Sequence, residues 1–249
     1  MLKLSIIIPA YNEEKRIINT LQDYYNFFSK KFKDQFEIIV VPNNCNDNTF
    51  DVVKNFSKNK EQIKIKNIPY FVGKGGAIRD GIYIANGELI GFVDADNSTN
   101  PDAFYELYNN INGYDGIIAS RWIKGAVINK KQPLSRRIAS RSFNILVRTI
   151  FGLNVRDTQC GSKLFKRKLL LEIIPKLSTT RWAFDVDLLY KLKLNNYKVV
   201  EIPTIWNDNP DSKLNIKKAS FEMFLAISRL RLIHSPFKFI VALYEKIIR

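Results

Sequence analysis

Residues 73–96 read GKGGAIRDGIYIANGELIGFVDAD and contain, in order, a glycine-rich entry, a predicted helix, a predicted strand and two acids. Lys74–Ala85 reads as the helix, and Leu89–Val93 is a short apolar run typical of a buried parallel strand. Asp94 and Asp96 follow that run directly. In open α/β sheets ligands bind where parallel strands end, so the two acids mark a candidate site.

The same alternation of strand and helix extends on both sides of this stretch. Strands alternating with helices predict a doubly wound, mainly parallel, Rossmann-like α/β sheet. Three loops at strand ends, residues 9–14, 42–47 and 94–97, are then the places to look for a site. The predicted strands are Leu4–Ile8, Phe36–Val41, Ile63–Ile68, Leu89–Val93, Gly116–Ala119 and Lys198–Ile202, and the other predicted helices are Glu13–Phe28 and Thr49–Phe56.

Composition sets the broad class. The chain has 249 residues, of which 46% are hydrophobic, which suits one core with a small appendage and argues against disorder. Cys45 and Cys160 form neither a metal-ligand spacing nor a disulfide framework, as expected in a reducing compartment. Because no apolar run is long enough to span a bilayer, we expect no transmembrane segment and a protein that is soluble or lies on a membrane surface.

Basic residues are unevenly placed in this chain of net charge +15. The acid-free stretch, Arg121–Arg156, holds nine Lys or Arg residues and no Asp or Glu. Such a stretch predicts a polyanionic neighbour: phosphate groups, an anionic membrane or nucleic acid. No nucleic-acid motif accompanies it, which argues against the last of these.

The tail, residues 216–249, has apolar helical faces with basic flanks, and Pro236 separates two helical segments. This pattern suits an interfacial membrane helix, but packing on the core or on a partner subunit accounts for it equally well. We therefore divide the chain into a domain of residues 1–215 and an amphipathic tail of residues 216–249. The apolar tail positions are Phe221, Phe224, Leu225, Ile227, Leu230 and Ile233.

Asp94 and Asp96 are the clearest chemical feature. Residues i and i+2 of a strand point the same way, so both carboxylates can face one ligand. Their mutual repulsion is relieved by a hard divalent cation, Mg²⁺ or Mn²⁺, that bridges to phosphate oxygens. The alternative is that Asp96 and the residues after it only cap a helix that starts near Pro101.

Further motifs accompany the acids, and the ordered set resembles the family 2 glycosyltransferases of the GT-A fold. The second half is similar to the dolichyl-phosphate glucosyltransferases and to wider polyprenyl-phosphate glycosyltransferases, including dolichyl-phosphate mannose synthases. The motifs that carry the first likeness are PAYNE at residues 9–13, DNT at 47–49, GKG at 73–75, DAD at 94–96 and SR at 120–121. Those that carry the second are DTQCGSKLF at residues 157–165, WAFDVDLL at 182–189 and SKL at 212–214.

The resemblance implies an inverting, metal-dependent transfer of a hexose to a polyprenyl or dolichyl phosphate at the cytoplasmic face of a membrane. UDP-glucose is the implied donor, with GDP-mannose as the alternative. A family 2 enzyme with a soluble acceptor, whose tail helices form a homo-oligomer, is the other alternative. The family usually has two acids after its second strand, at the nucleobase, whereas Pro42 and Asn43 stand here, so uracil and guanine both stay open.

The resemblance also assigns roles to residues. Asp94 and Asp96 are the implied metal ligands, and Asp94, Asp96, Asp157 and Asp185 the catalytic residues. The implied donor-binding residues are Pro9, Ala10, Tyr11, Glu13, Asn43, Lys74, Asp94, Ala95, Asp96 and Lys213. Because arginine binds phosphate through a planar fork, Arg121, Arg136, Arg137 and Arg141 are the candidates for the acceptor phosphate.

Several of these residues have plainer readings. Glu13 would sit favourably in the first turn of a helix, and Asp157 could pair with the neighbouring Arg156. Lys74 could bind phosphate at a helix N-terminus or be an ordinary surface lysine. Helical spacing places Asp185 on a buried face and pairs an exposed Asp187 with Lys191 at i+4. The lone His234 is expected to be structural or interfacial.

Overall fold

The computed structural model describes residues 2–130, 134–178, 183–207, 216–236 and 239. Its main sheet has seven strands in the order β3-β2-β1-β4-β7-β5-β8, and β6 pairs with β9 in a small parallel sheet. The strands are β1 Leu4–Ala10, β2 Phe36–Pro42, β3 Ile63–Ile65, β4 Leu89–Phe92, β5 Gly116–Ser120, β6 Val127–Lys130, β7 Lys163–Lys166, β8 Val199–Pro203 and β9 Ile205–Asn207.

The main sheet is mainly parallel, as the sequence predicts. β1 runs parallel to β2 and to β4, β2 to β3, and β5 to β8. Only β7 among these strands is antiparallel to its neighbours, β4 and β5. The carboxyl ends of β1, β2 and β4 therefore meet at one edge of the sheet, which is the edge that carries the candidate motifs.

Helices cover both faces of the sheet. Successive side chains of β1 point to opposite faces of the sheet. Ile7 belongs to the hydrophobic core that contains the third, sixth and seventh helices, whereas Ile6 and Ile8 belong to the core that contains the first and fourth. This confirms the doubly wound α/β architecture. The helices are α1 Ile17–Phe32, α2 Thr49–Ser57, α3 Gly73–Ile84, α4 Pro101–Asn109, α5 Leu134–Phe151, α6 Arg167–Ile173, α7 Phe184–Leu194 and α8 Ile216–Ile233.

Two elements differ from their predicted bounds. Helix α1 begins at Ile17 instead of Glu13 and continues to Phe32, because the aromatic face that includes Tyr24 and Phe28 stays buried to that point. Strand β3 ends at Ile65, and Ile68 reaches the sheet only through a single bridge to Asn43. The other predicted strands and helices agree with the structure to within two residues.

The apolar side chains that the sequence places on one broad face of α8 differ in burial. Ile227 and Leu230 are fully buried in the core that also contains α7, whereas Phe221, Phe224 and Leu225 are exposed. Helix α8 packs against α5. In the part of the chain that the structure describes, no helix has the length and apolar character needed to cross a membrane. The division of the chain at residue 215 stays a prediction.

Candidate active site at the carboxyl edge of the sheet

The loops after β1 and β2 are joined by hydrogen bonds. The Asn43 N–H donates to the Ala10 carbonyl over 2.9 Å, and the Glu13 N–H donates to Thr49 Oγ1 over 2.7 Å. The Glu14 N–H donates to Asp47 over 3.1 Å. These bonds bring the first two predicted motif loops together. Pro9 and Ala10 are the last two residues of β1, and both are buried.

Glu13 lies in the turn before α1, so its predicted place in the first turn of a helix is wrong. Its carboxylate accepts two hydrogen bonds from Arg16, each 2.7 Å long. Burial raises the pKa of Glu13, and the nearby Asp96 and Asp94 act in the same direction, although Arg16 opposes them. Glu13 therefore belongs to the same electrostatic site as the two aspartates.

Asn43 stands at the end of β2 with only 2% of its surface exposed. Its side-chain amide donates to the Ala10 carbonyl over 3.1 Å, and its Oδ1 is buried with no hydrogen-bond partner among the described residues. The exposed rings of Tyr11 and Phe71 meet edge to face, with centroids 6.4 Å apart. Leaving the Asn43 acceptor buried without a partner costs free energy.

Asp96 does not cap the helix near Pro101. Asn100 is the N-cap of α4 and accepts the Ala103 N–H over 2.8 Å, while Asp96 Oδ1 accepts the N–H of Ser98 over 3.0 Å. Burial raises the pKa of the Asp96 carboxyl, and the charge of Asp94 raises it further. Asp96 is thus held in a tight turn beside a like charge, which is the situation that a bound cation relieves.

Asp94 has an ion pair with Lys74, whose Nζ lies 2.6 Å from Asp94 Oδ1. Burial alone would raise the pKa of Asp94, but Lys74, Lys163 and Arg121 outweigh it and the pKa lies below its usual value. Gly161 lies directly against this carboxylate, since a Cβ at that position would overlap Asp94. Lys74 is therefore ion-paired beside the two candidate metal ligands, and its role in binding the donor stays a prediction.

The donor set fits a hard divalent cation. Mg²⁺ is usually held by one or two carboxylates together with phosphate oxygens and water, and Asp94 with Asp96 supplies that number. Among the described residues no three His, Cys, Asp or Glu side chains form a metal cluster. Phosphate oxygens and water would supply the remaining ligands of such a cation.

Asp157 pairs with Arg121, and its predicted pairing with Arg156 is wrong. Arg121 Nε and Nη2 donate to the two carboxylate oxygens over 2.7 and 3.0 Å, and the Arg121 backbone N–H donates over 3.0 Å. Burial would raise the pKa of Asp157, but Arg121 more than offsets it. Arg121, the first residue of the acid-free stretch, is therefore paired with Asp157, the residue that directly follows the stretch.

The Arg121 guanidinium also lies between two indole rings. Its Cζ is 5.4 Å from the Trp122 ring centre and 4.8 Å from that of Trp206, and the Cζ of the exposed Arg141 is 4.9 Å from Trp122. Two of the four candidate phosphate-binding arginines thus share the Trp122 ring. Arg137 is half-buried, and the Arg136 side chain and Lys213 lie outside the described residues.

Asp185 is buried, as its helical spacing predicts, and it pairs with a residue that the sequence analysis missed. Lys163 Nζ lies 2.6 Å from Asp185 Oδ1 and donates to the Cys160 carbonyl over 2.6 Å, with no exposed side-chain surface. The signal available in the sequence was the place of Lys163 in the motif DTQCGSKLF at residues 157–165. The predicted exposed ion pair of Asp187 with Lys191 is wrong. Asp187 is fully buried, and its carboxylate accepts the Ser178 N–H over 2.6 Å.

A family profile described as "Glycosyl transferase family 2" matches residues 5–174. The chain belongs to this family. It is therefore a glycosyltransferase, and the resemblance read from its motifs is confirmed.

Curated relatives of this glycosyltransferase carry a more specific name. A dolichyl-phosphate beta-glucosyltransferase of Trichomonas vaginalis is 36% identical over 224 residues, which cover 85% of this chain and 66% of the relative. One of Dictyostelium discoideum is 32% identical over 241 residues, covering 92% of this chain and 73% of the relative. The chain thus spans 66–73% of the length of these relatives.

Solved structures show the same fold at low sequence identity. Glucosyl-3-phosphoglycerate synthase from Mycobacterium tuberculosis, in complex with UDP, has a TM-score of 0.69 at 15% identity over 93% of this chain and 79% of its own. A mannosyltransferase from Pyrobaculum calidifontis, in complex with GDP-mannose and Mn²⁺, has a TM-score of 0.64 at 16% identity over 94% of this chain and 64% of its own. The GT-A fold predicted from the motifs is confirmed.

Proposed function

We propose that this glycosyltransferase moves glucose from UDP-glucose to a dolichyl or polyprenyl phosphate with inversion at the anomeric carbon. The observation that carries the proposal is that Arg121, whose charge helps to lower the pKa of Asp94, lies over the same Trp122 ring as Arg141. The carboxylates suit a cation-bound diphosphate, and the arginines suit a second phosphate. The names of the curated relatives support glucose and dolichyl phosphate as the two substrates.

The donor side is built from the first-half loops. Asp94 and Asp96 would hold Mg²⁺ or Mn²⁺ against the diphosphate, and the bound cation offsets charge on the leaving group. Lys74 stands at the N-terminus of α3, where backbone N–H groups attract phosphate. Glu13, Pro9, Ala10 and Lys213 keep the donor-binding roles that the resemblance implies.

Asn43 favours uracil over guanine. Uracil presents a single ring N–H between two carbonyls, and Asn43 Oδ1 is a single buried acceptor with no hydrogen-bond partner among the described residues. Guanine presents an N–H and an amino group side by side, an arrangement that two carboxylate oxygens accept better than one amide oxygen. The rings of Tyr11 and Phe71 offer an aromatic surface for either base.

The acceptor needs no strong general base. A phosphate monoester is already ionised at neutral pH, so its oxygen can attack the anomeric carbon while the bond to the diphosphate breaks and the electron pair stays on that leaving oxygen. Asp157 and Asp185 are each already ion-paired, with Arg121 and Lys163. Their roles are therefore to fix the arginine that meets the acceptor phosphate and to orient the sugar.

A membrane surface would lie beside α5 and α8. Both helices expose large apolar side chains in the part of the chain that the structure describes, and basic residues surround them. Such a surface suits the interface of an anionic leaflet, where a lipid phosphate is within reach of the acid-free stretch. The exposed apolar residues are Leu134, Ile138, Ile145, Phe221, Phe224 and Leu225.

A donor panel tests the proposal. The full chain is incubated with a short polyprenyl phosphate and, in separate reactions, with UDP-glucose, UDP-galactose, GDP-mannose and GDP-glucose. We expect the lipid-linked hexose to form fastest from UDP-glucose, with GDP-glucose much poorer because of Asn43. Preference for GDP-mannose would contradict the choice of base and sugar, and glucose transfer only to a soluble acceptor such as 3-phosphoglycerate would contradict the acceptor.

A further inference from the structure

The ammonium of Lys74 contacts Asp94, one of the proposed ligands of the Mg²⁺ or Mn²⁺ that would bind with the sugar donor. Its Nζ is 2.6 Å from Asp94 Oδ1, and this carboxylate is one of the two that would hold the cation. An ammonium and a divalent cation on the same oxygen would repel each other at short range. Each of them therefore weakens the binding of the other to Asp94.

The Lys74–Asp94 pair is the open one among the ion pairs around the site. Their side chains are 39% and 30% exposed, whereas those of Lys163 and Asp185 are 0% and 8% exposed. The Asp94 carboxylate fills the space that a Cβ at Gly161 would occupy, so it packs against the backbone there. The flexible lysine side chain, with solvent beside it, is then the partner that can leave.

A new partner for the ammonium is available on the same helix. Lys74 is the second residue of α3, and the N-cap residue of this helix, Val72, makes no side-chain capping bond in the part of the chain that the structure describes. The N–H groups of this first turn, which contains Gly75 and Gly76, suit a phosphate group. A diphosphate bound at this point would lie within reach of both the cation site and the Lys74 side chain.

We propose that Lys74 is an exchangeable counter-ion, which neutralises Asp94 in the free enzyme and transfers to the diphosphate when nucleotide and cation bind together. This inference rests on the proposed cation site of the glycosyltransferase. It makes cation and nucleotide binding cooperative, because the ammonium weakens cation binding until a diphosphate draws it away. Lys74 would then weaken cation binding in the free enzyme and bind the diphosphate of the sugar donor in the complex.

Binding measurements on the full chain test the exchange without any sugar transfer. Mn²⁺ is titrated by isothermal calorimetry into the native protein, with and without saturating UDP. The same titrations are made with Lys74→Met, with Lys74→Arg and with Lys166→Met. Lys166 provides a matched control, because its pair with Asp115 is 3.0 Å long, its two side chains are 49% and 29% exposed, and it lies at the opposite edge of the sheet.

We expect UDP to tighten Mn²⁺ binding to the native protein by roughly tenfold or more, within the usual range of coupling between two sites. In Lys74→Met, Mn²⁺ alone should bind about tenfold more tightly than to the native protein, and most of the gain from UDP should be lost. Lys74→Arg and Lys166→Met should behave like the native protein. A lysine that only supports the fold would not tighten the binding of Mn²⁺ alone and at the same time remove the effect of UDP.

Two results would overturn the exchange. One is weaker or unchanged binding of Mn²⁺ alone by a folded Lys74→Met variant, which would make Lys74 a simple phosphate ligand or a structural residue. The other is the absence of Mn²⁺ binding in every protein, even with UDP, which would remove the cation site itself. Glucose transfer to polyprenyl phosphate in EDTA would then show that the proposed reaction stands without the cation.

Discussion

Lys163→Met should destabilise the protein strongly. The Lys163 ammonium has no exposed surface and joins the Cys160 carbonyl to Asp185 through two contacts of 2.6 Å, with the Phe92 ring 5.5 Å away. Methionine fills similar space but leaves the Asp185 carboxylate buried without its partner. Breaking a buried pair in this way costs about 3–5 kcal/mol, which lowers Tm by about 6–20 °C in a protein of this size.

Urea denaturation and thermal scans followed by circular dichroism measure the effect. The double variant Lys163→Met with Asp185→Leu removes both charges and should recover most of the lost stability, because apolar replacement of a buried pair is often neutral. Lys166→Met breaks the exposed pair with Asp115 and should cost about 0–1 kcal/mol. A Lys163→Met variant within 1 kcal/mol of the native protein, or a double variant as unstable as the single one, would refute the reasoning.

Three further predictions follow from the proposed site. Asp96→Asn should lower kcat by at least about a hundredfold, a loss of roughly 2.7 kcal/mol of transition-state stabilisation, and full activity in EDTA or in this variant would exclude the cation site. Arg136→Ala with Arg137→Ala should raise the KM for polyprenyl phosphate roughly tenfold while the donor KM changes little; a rise in the donor KM instead would misplace the acceptor. A chain that ends near Lys213 should stay in solution with anionic vesicles that sediment the full chain, and equal partitioning of the two would count against a membrane-binding tail.

The sequence predicts the fold well because its signals are local. Apolar runs such as Leu4–Ile8 and Leu89–Val93 lie in central parallel strands, and each is closed by turn or acidic residues at the site edge. Asp94 and Asp96 then follow from their place after a strand. From sequence alone Asp96 and Asn100 are equally good caps for the helix near Pro101. Only the structure shows that Asn100 is the cap.

Side-chain pairing could not be predicted, because the partners lie far apart in sequence. Arg121 and Asp157 are 36 residues apart, so the nearer Arg156 was the natural choice from sequence. Asp187 was misread for a different reason: the i+4 rule assumes an exposed helix face, whereas Phe184–Leu189 is buried on all sides. A helix buried all round gives no periodic signal that separates a surface acid from a core acid.

The most direct test of the account is an acceptor competition with one donor. The full chain receives radiolabelled UDP-glucose and equal amounts of a short polyprenyl phosphate, the matching polyprenol without phosphate, and 3-phosphoglycerate, and the products are separated by solvent extraction and mass spectrometry. We expect label to accumulate as β-linked glucose on polyprenyl phosphate, with the other two acceptors nearly unlabelled. Label on the polyprenol or on the soluble phosphate at a comparable rate would contradict it.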